Sequence, residues 1–102
     1  MIKLKDLATA FANYSYYYGS APIGTKLPYI VASGTGSDNF HADCKVYEKK
    51  FGIQLDYYSK SKDETKEAQI EAILDSLGAI WEKTEAFDED QTFYLISYTF
   101  WR

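Results

Sequence analysis

Residues 44–78 read CKVYEKKFGIQLDYYSKSKDETKEAQIEAILDSLG, and the hydrophobic period changes midway through them. Up to Tyr58 the chain alternates, with Tyr47, Phe51, Ile53, Leu55 and Tyr57 on one side and Glu48, Lys50, Gln54 and Asp56 on the other. That two-residue period belongs to a half-buried strand. Further on, Ile70, Ile73, Leu74 and Leu77 recur at i, i+3, i+4 and i+7, the repeat of an amphipathic helix. Ser61 and Glu64 have the spacing of a capping box and Gly78 that of a C-terminal cap, so a helix is predicted over 62–77.

On the C-terminal side, 79–86 and 91–101 read as two strands joined across 87–90, with Tyr94, Ile96, Tyr98 and Phe100 on one face of the second. On the N-terminal side, Leu4, Leu7, Ala8 and Phe11 recur at helical spacing. The Tyr-rich 14–18 is extended, and 20–28, with two prolines and Gly24, is a loop. A short strand is predicted over 27–33. Residues 34–43, where Gly34, Gly36, Ser37, Asp38 and Asn39 cluster, are predicted to form a mobile loop. The expected fold is α+β in a single domain over 1–102, an antiparallel or mixed sheet with two helices packed on one face.

The chain has 102 residues, a single-domain length, and 18% of them are aromatic: ten Tyr, six Phe and two Trp. Rings must therefore supply much of the core. The net charge is -4, but it is uneven: residues 1–61 carry seven basic and five acidic side chains, and 62–102 carry four and ten. Outside Lys45, Lys49 and Lys50 there is no cluster of cations to neutralise phosphates, so no nucleic-acid reader is expected. Lone Cys44 gives no internal disulfide, no stretch approaches the roughly 20 apolar residues of a membrane span, and the N-terminus lacks a signal-peptide core. A soluble protein of a reducing cytoplasm is expected.

Chemistry-bearing groupings are few. His41, Asp43 and Cys44 lie within four residues, but a catalytic or metal constellation needs partners from other elements, and the chain has one His and one Cys. Glu85, Asp88, Glu89 and Asp90 lack the alternating spacing of a calcium loop and read as a solvated turn. Gly34 and Gly36 lack the third glycine and the helix start of a phosphate cradle. The Tyr run near residue 16 reads as core or subunit contact. Neither catalysis nor any cofactor or metal is expected.

The 62–77 helix is more informative. Glu64, Glu67, Glu71 and Asp75 gather on one flank, and the last three succeed one another at i, i+4, a like-charge series that costs about 0.2–0.5 kcal/mol per pair. Its back carries Thr65, Ala68, Gln69, Ala72 and Ser76, small or uncharged where an isolated domain usually carries Lys and Glu. The back reads either as a subunit interface, with the acid flank meeting a basic neighbour or an enclosed channel, or as a solvated surface of good helix formers.

One resemblance runs through this order of elements. Leu27, Pro28, Tyr29, Ile30 and Val31, then Asn39, Phe40, His41, Ala42 and Asp43 before a Val-Tyr strand, resemble small tail-completion proteins of siphophages infecting Gram-positive bacteria. Lys62 and Asp63 opening a helix with Ile70 and Glu71, the strand Trp81, Glu82, Lys83, Thr84, Glu85, and the Tyr-rich strand 94–100 continue the likeness over residues 27–102. Ala32, in place of an aromatic residue, and Cys44, in place of a polar one, depart from the pattern.

The resemblance implies a tail terminator at the virion neck, assembled in the host cytoplasm. Its subunits would close into a six-fold ring on the last tail-tube ring, stop tube growth and dock the head connector, with DNA only passing through the lumen. In that reading Thr65, Ala68, Gln69, Ala72 and Ser76 form the subunit interface. Glu64, Glu67, Glu71 and Asp75 form the acidic lumen or inter-subunit flank, and Gly34, Gly36, Asp38, Asn39 and Phe40 lie in the loop that meets the stacking partner. The alternatives are a head-closure or connector adaptor, and an unrelated binding module that captures a partner strand on its sheet edge.

Overall fold

The computed structural model describes residues 2–42, 45–89 and 92–101, and their side chains except those of 36–42 and 45–51. In chain order the elements are α1 (Leu4–Ala10), β1 (Tyr16–Tyr18), β2 (Tyr29–Ala42), β3 (Lys45–Ser59), α2 (Glu64–Ser76), β4 (Trp81–Asp88) and β5 (Phe93–Trp101). The strands form one sheet in the order β1-β2-β3-β5-β4. β1 runs parallel to β2 and the other pairs are antiparallel, so the fold is α+β with a mixed sheet.

Register explains the core. Ile53, Leu55 and Tyr57 of β3 stand opposite Phe100, Tyr98 and Ile96 of β5 and opposite Gly34, Ala32 and Ile30 of β2. Apart from Gly34, these residues share one hydrophobic cluster with Leu7 and Phe11 from the N-terminal helical region and Ile70 and Leu74 of α2. The alternation read from 47–57 thus sets the buried side from Ile53 onward, and Ile73 and Leu77 pack at the cluster's margin. Leu4 and Ala8, read as part of the apolar stripe of α1, are exposed, and Ile2 takes a buried place instead.

The start of α2 differs from the reading. Asp63, not Ser61, is the N-cap: its side chain accepts a hydrogen bond from the Lys66 amide at 3.1 Å, filling one of the first-turn donors that a helix leaves open. Ser61 lies outside the helix, and its carbonyl accepts from the Ser59 hydroxyl. The C-terminus follows the glycine signal. Gly78 has φ +78°, its amide donates to the Asp75 carbonyl, and the Ala79 amide donates to that of Leu74, a Schellman closure.

The largest correction concerns residues 34–42. The stretch containing Gly34, Gly36, Asp38, Asn39 and Phe40 is strand, not loop: it continues β2 and pairs with β3 down to Ala42 opposite Lys45. Residues rich in turn propensity adopt strand geometry here because β3 supplies the ladder partners, an override of local preference by pairing. Asp43 and Cys44 lie outside the described residues. β5 accompanies β3 only from Gly52 to Ser59, and β1 accompanies β2 only from Ile30 to Ala32. Beyond these limits the two strands pair with each other alone, forming an arm of about 20 Å. The dimensions, 49 × 29 × 23 Å, and the 14.9 Å radius of gyration reflect this reach, against about 13 Å for a rounded domain of this length.

The root of the arm is tight. Between Gly34 and Gly36 the register shifts, leaving Thr35 as the extra residue opposite Gly52. A β-carbon on Gly52 would overlap Thr35 Oγ1 and stand 3.2 Å from the Trp101 ring. Gly52→Ala is therefore expected to destabilise the protein by about 1–3 kcal/mol, read as a lower urea midpoint, with Gly34→Ala, whose added carbon meets its nearest neighbour at 3.5 Å, affected less.

Candidate functional site

Two surfaces of α2 were expected to carry function, and the structure separates them. Thr65, Ala68, Gln69, Ala72 and Ser76 are all exposed. Two of them have polar contacts: Gln69 Oε1 accepts from the Tyr14 hydroxyl at 3.4 Å, and the Ser76 hydroxyl donates to the Ile73 carbonyl at 2.6 Å. Ala68 and Ala72 present only methyl groups, leaving a low ridge that another backbone can approach.

The middle of the acid flank, Glu67 and Glu71, faces Lys83 of β4, while Glu64 and Asp75 at its ends are exposed. Glu67 is buried, with 2% of its surface exposed. Its Oε1 lies 2.7 Å from Lys83 Nζ and accepts a 3.0 Å hydrogen bond from Lys62 Nζ. Oε2 is also 3.0 Å from Lys62 Nζ but is not aligned for a hydrogen bond, so charge alone holds it. Lys62 reaches Glu85 as well. One turn along, Glu71 Oε2 accepts from Lys83 Nζ and from the Tyr98 hydroxyl, each at 2.8 Å. Another turn on, Asp75 accepts from Trp81 Nε1 at 2.9 Å, and the Trp81 ring stands edge-on to Tyr98.

Lysines from outside the helix thus offset the i, i+4 repulsion seen in the sequence: Lys62 just ahead of it and Lys83 across on β4. Burial alone would raise the Glu71 pKa, but the hydrogen bonds from Lys83 and Tyr98 outweigh it, and the carboxyl is held below its ordinary value. Burial would lower Lys83, yet its bonds to Glu67 and Glu71 raise it. Burial, followed by the bond to Glu71, pushes the Tyr98 phenol far up. These contacts tie Glu67, Glu71 and the exposed Asp75 of α2 to the β4–β5 hairpin. Glu64, at the start of the flank, is exposed.

The other groupings do not converge. His41 pairs through its backbone with Val46 in the arm, while its neighbours Asp43 and Cys44 fall outside the described residues. Glu85 is tied to Lys62, Asp88 ends β4, and Asp90 is not among the described residues. Among the described residues no group of three or more His, Cys, Asp or Glu is placed to hold a metal, and no helix is long and apolar enough to cross a membrane. Helical spacing showed the acid series, but nothing local marked Lys83 and Tyr98 as its partners, because they arrive through the β4–β5 pairing.

No family model and no curated protein matches this chain. Two outcomes follow from the α2 clamp. Glu67→Ala removes the buried carboxylate that both lysines meet but leaves them Glu85 and Glu71, and is expected to cost about 1–3 kcal/mol in urea unfolding, whereas Glu64→Ala should cost less than about 0.5 kcal/mol. The pH dependence has a defined sign. Because the folded pKa of Glu71 lies below the unfolded one, its contribution is present above the ordinary carboxylate range and is lost as pH falls through that range to the folded pKa. Glu71→Gln should therefore flatten the acid limb of a stability profile measured from about pH 6 to about pH 3.

Proposed function

We propose that this protein is a virion structural protein, a tail terminator whose subunits close into a ring on the end of the tail tube, halt its polymerisation and offer a docking surface to the head connector. The observation that carries the reading is the arm. Gly36–Ala42 and Lys45–Phe51 pair only with each other beyond the sheet. A two-stranded ribbon alone in water is marginally stable and is well suited to completion by a neighbour. In this reading the arm takes the stacking role, as an extended ribbon where the sequence suggested a loop.

The exposed ridge of Thr65, Ala68, Gln69, Ala72 and Ser76 supports lateral contact between copies, since a heterologous contact repeated by rotation closes into a ring. The resemblance over 27–102 points the same way. DNA passes through the ring transiently. Capture of a partner strand on the free edge of β4 has weaker support, because Glu82, Lys83 and Glu85 put charge along that edge, a pattern that discourages strand addition. A head-closure adaptor would need the same ring and differ only in the ring it stacks on.

The test is assembly. Ala72→Glu, exposed and therefore expected to leave the fold intact, should abolish ring closure in native mass measurements with the tail-tube protein present and give tails of uncontrolled length. Unchanged rings and unchanged tail length would remove the α2 ridge from the interface. Rings that bind the connector but ignore tail tubes would favour the head-closure role.

A further inference from the structure

The sheet face opposite the core cluster carries a row of rings that spans four strands. Tyr17 of β1 stands edge-on to Tyr29 of β2, with ring centres 6.5 Å apart. Tyr29 stacks on Tyr58 of β3 at 4.9 Å, and Tyr58 meets Phe93 of β5 edge-on at 5.4 Å. Beside this row lies an open cleft of about 400 Å³, walled by Gly19–Ala21 and by Tyr29, Tyr58 and Phe93, with Asp56 among its lining residues.

Asp56 is the unusual member. It sits mid-sheet between Val31 and Ser97 and is 8% exposed. Its Oδ1 accepts from the Ser97 hydroxyl at 2.7 Å and from Gln54 Nε2 at 3.0 Å, while Oδ2 receives only a longer, shared contact from Gln54 at 3.2 Å. All of these donors are neutral, and among the described residues no Lys, Arg or His comes within ion-pair distance of it. A carboxylate offers about four acceptor positions, so Oδ2 retains capacity, and a buried anion without a counter-charge is costly.

We propose that this cleft is a docking site for an arginine side chain of a partner protein, with Asp56 receiving the guanidinium and the Tyr29–Tyr58–Phe93 row flanking it. An anion beside the rings with no cation paired to it among the described residues fits a positive group with a flat, apolar body. Aromatic rings attract cations over their faces. The guanidinium is preferred to the lysine ammonium because it is planar, stacks on rings, sheds water more readily and can direct one N–H to a single carboxylate oxygen. The site lies on other residues than the α2 ridge and the arm, and it stands whether or not the subunits form a ring.

The test uses the full chain and three probes: the capped tripeptide Ala-Arg-Ala, the same peptide with neutral citrulline in place of arginine, and free arginine. Ring resonances of Tyr58 and Phe93 report binding. The arginine peptide is expected to give a saturable shift with a Kd on the order of millimolar, with the citrulline peptide at least about tenfold weaker and free arginine no tighter than the peptide.

Asp56→Asn, checked for folding by its thermal transition, should abolish the shift. Tyr58→Leu should weaken it, and decides the matter if Asp56→Asn does not fold. Equal response to the two peptides, tighter binding of free arginine than of the peptide, no saturable shift at all, or unchanged binding in a folded Asp56→Asn or in Tyr58→Leu would each overturn the assignment.

Discussion

The register of β3 is the constraint on which both faces of the molecule depend. This strand pairs on both edges, with β2 and with β5, so its alternation is imposed on three strands at once. A slip of one residue would turn Ile53, Leu55 and Tyr57 outward and bring Gln54, Asp56 and Tyr58 against the core. The large apolar residues Tyr98 and Phe100, opposite Leu55 and Ile53, are buried and fix the slip against that alternative. Gly52 marks where the constraint ends: on one side β5 still accompanies β3, and on the other the chain leaves the sheet as the arm.

The second anchor is ionic. An isolated helix with Glu67, Glu71 and Asp75 in succession would be weakened by its own charge, and a buried Glu67 alone would be worse. Lys62 and Lys83 on either side turn the repulsion into a bridge, with Tyr98 donating from the core side. Such a bridge adds little net stability compared with an apolar replacement of similar shape, but it is unforgiving about geometry. It therefore fixes which turn of α2 meets which residue of β4, a matter that the generic packing of Ile70 and Leu74 leaves loosely defined.

Much of this was legible in the sequence where one period ran uninterrupted. The α2 stripe, the C-terminal hairpin and the buried side of 53–57 all come from alternation or helical spacing, and Gly78 gave the helix end because a positive φ suits glycine. The misreadings arose where a partner distant in sequence decided the outcome. Gly34, Gly36, Ser37, Asp38 and Asn39 have every local mark of a loop, yet an antiparallel partner strand makes them extended. Ser61 and Asp63 both have capping side chains, and only the path of the chain out of β3 selects Asp63. The partners of the acid flank were invisible for the same reason, since Lys83 stands 12 and 16 residues from Glu71 and Glu67.

The aromatic excess of the composition acquires a physical sense from the two faces. Phe11, Tyr57, Tyr98 and Phe100 enter the core beside a larger set of aliphatic side chains that includes Leu7, Ile30, Ile53, Leu55, Ile70, Leu74 and Ile96. Tyr17, Tyr29, Tyr58 and Phe93 go to the other side, where they form a half-buried row of rings. Burial, with Asp56 and Tyr29 next in effect, raises the pKa of Tyr58. An aromatic strip beside a buried carboxylate differs from a core left unfinished, because a purely apolar patch would invite any hydrophobic surface. Asp56 makes entry without a compensating positive charge costly, and so gives the exposed face selectivity that ring area alone would not provide.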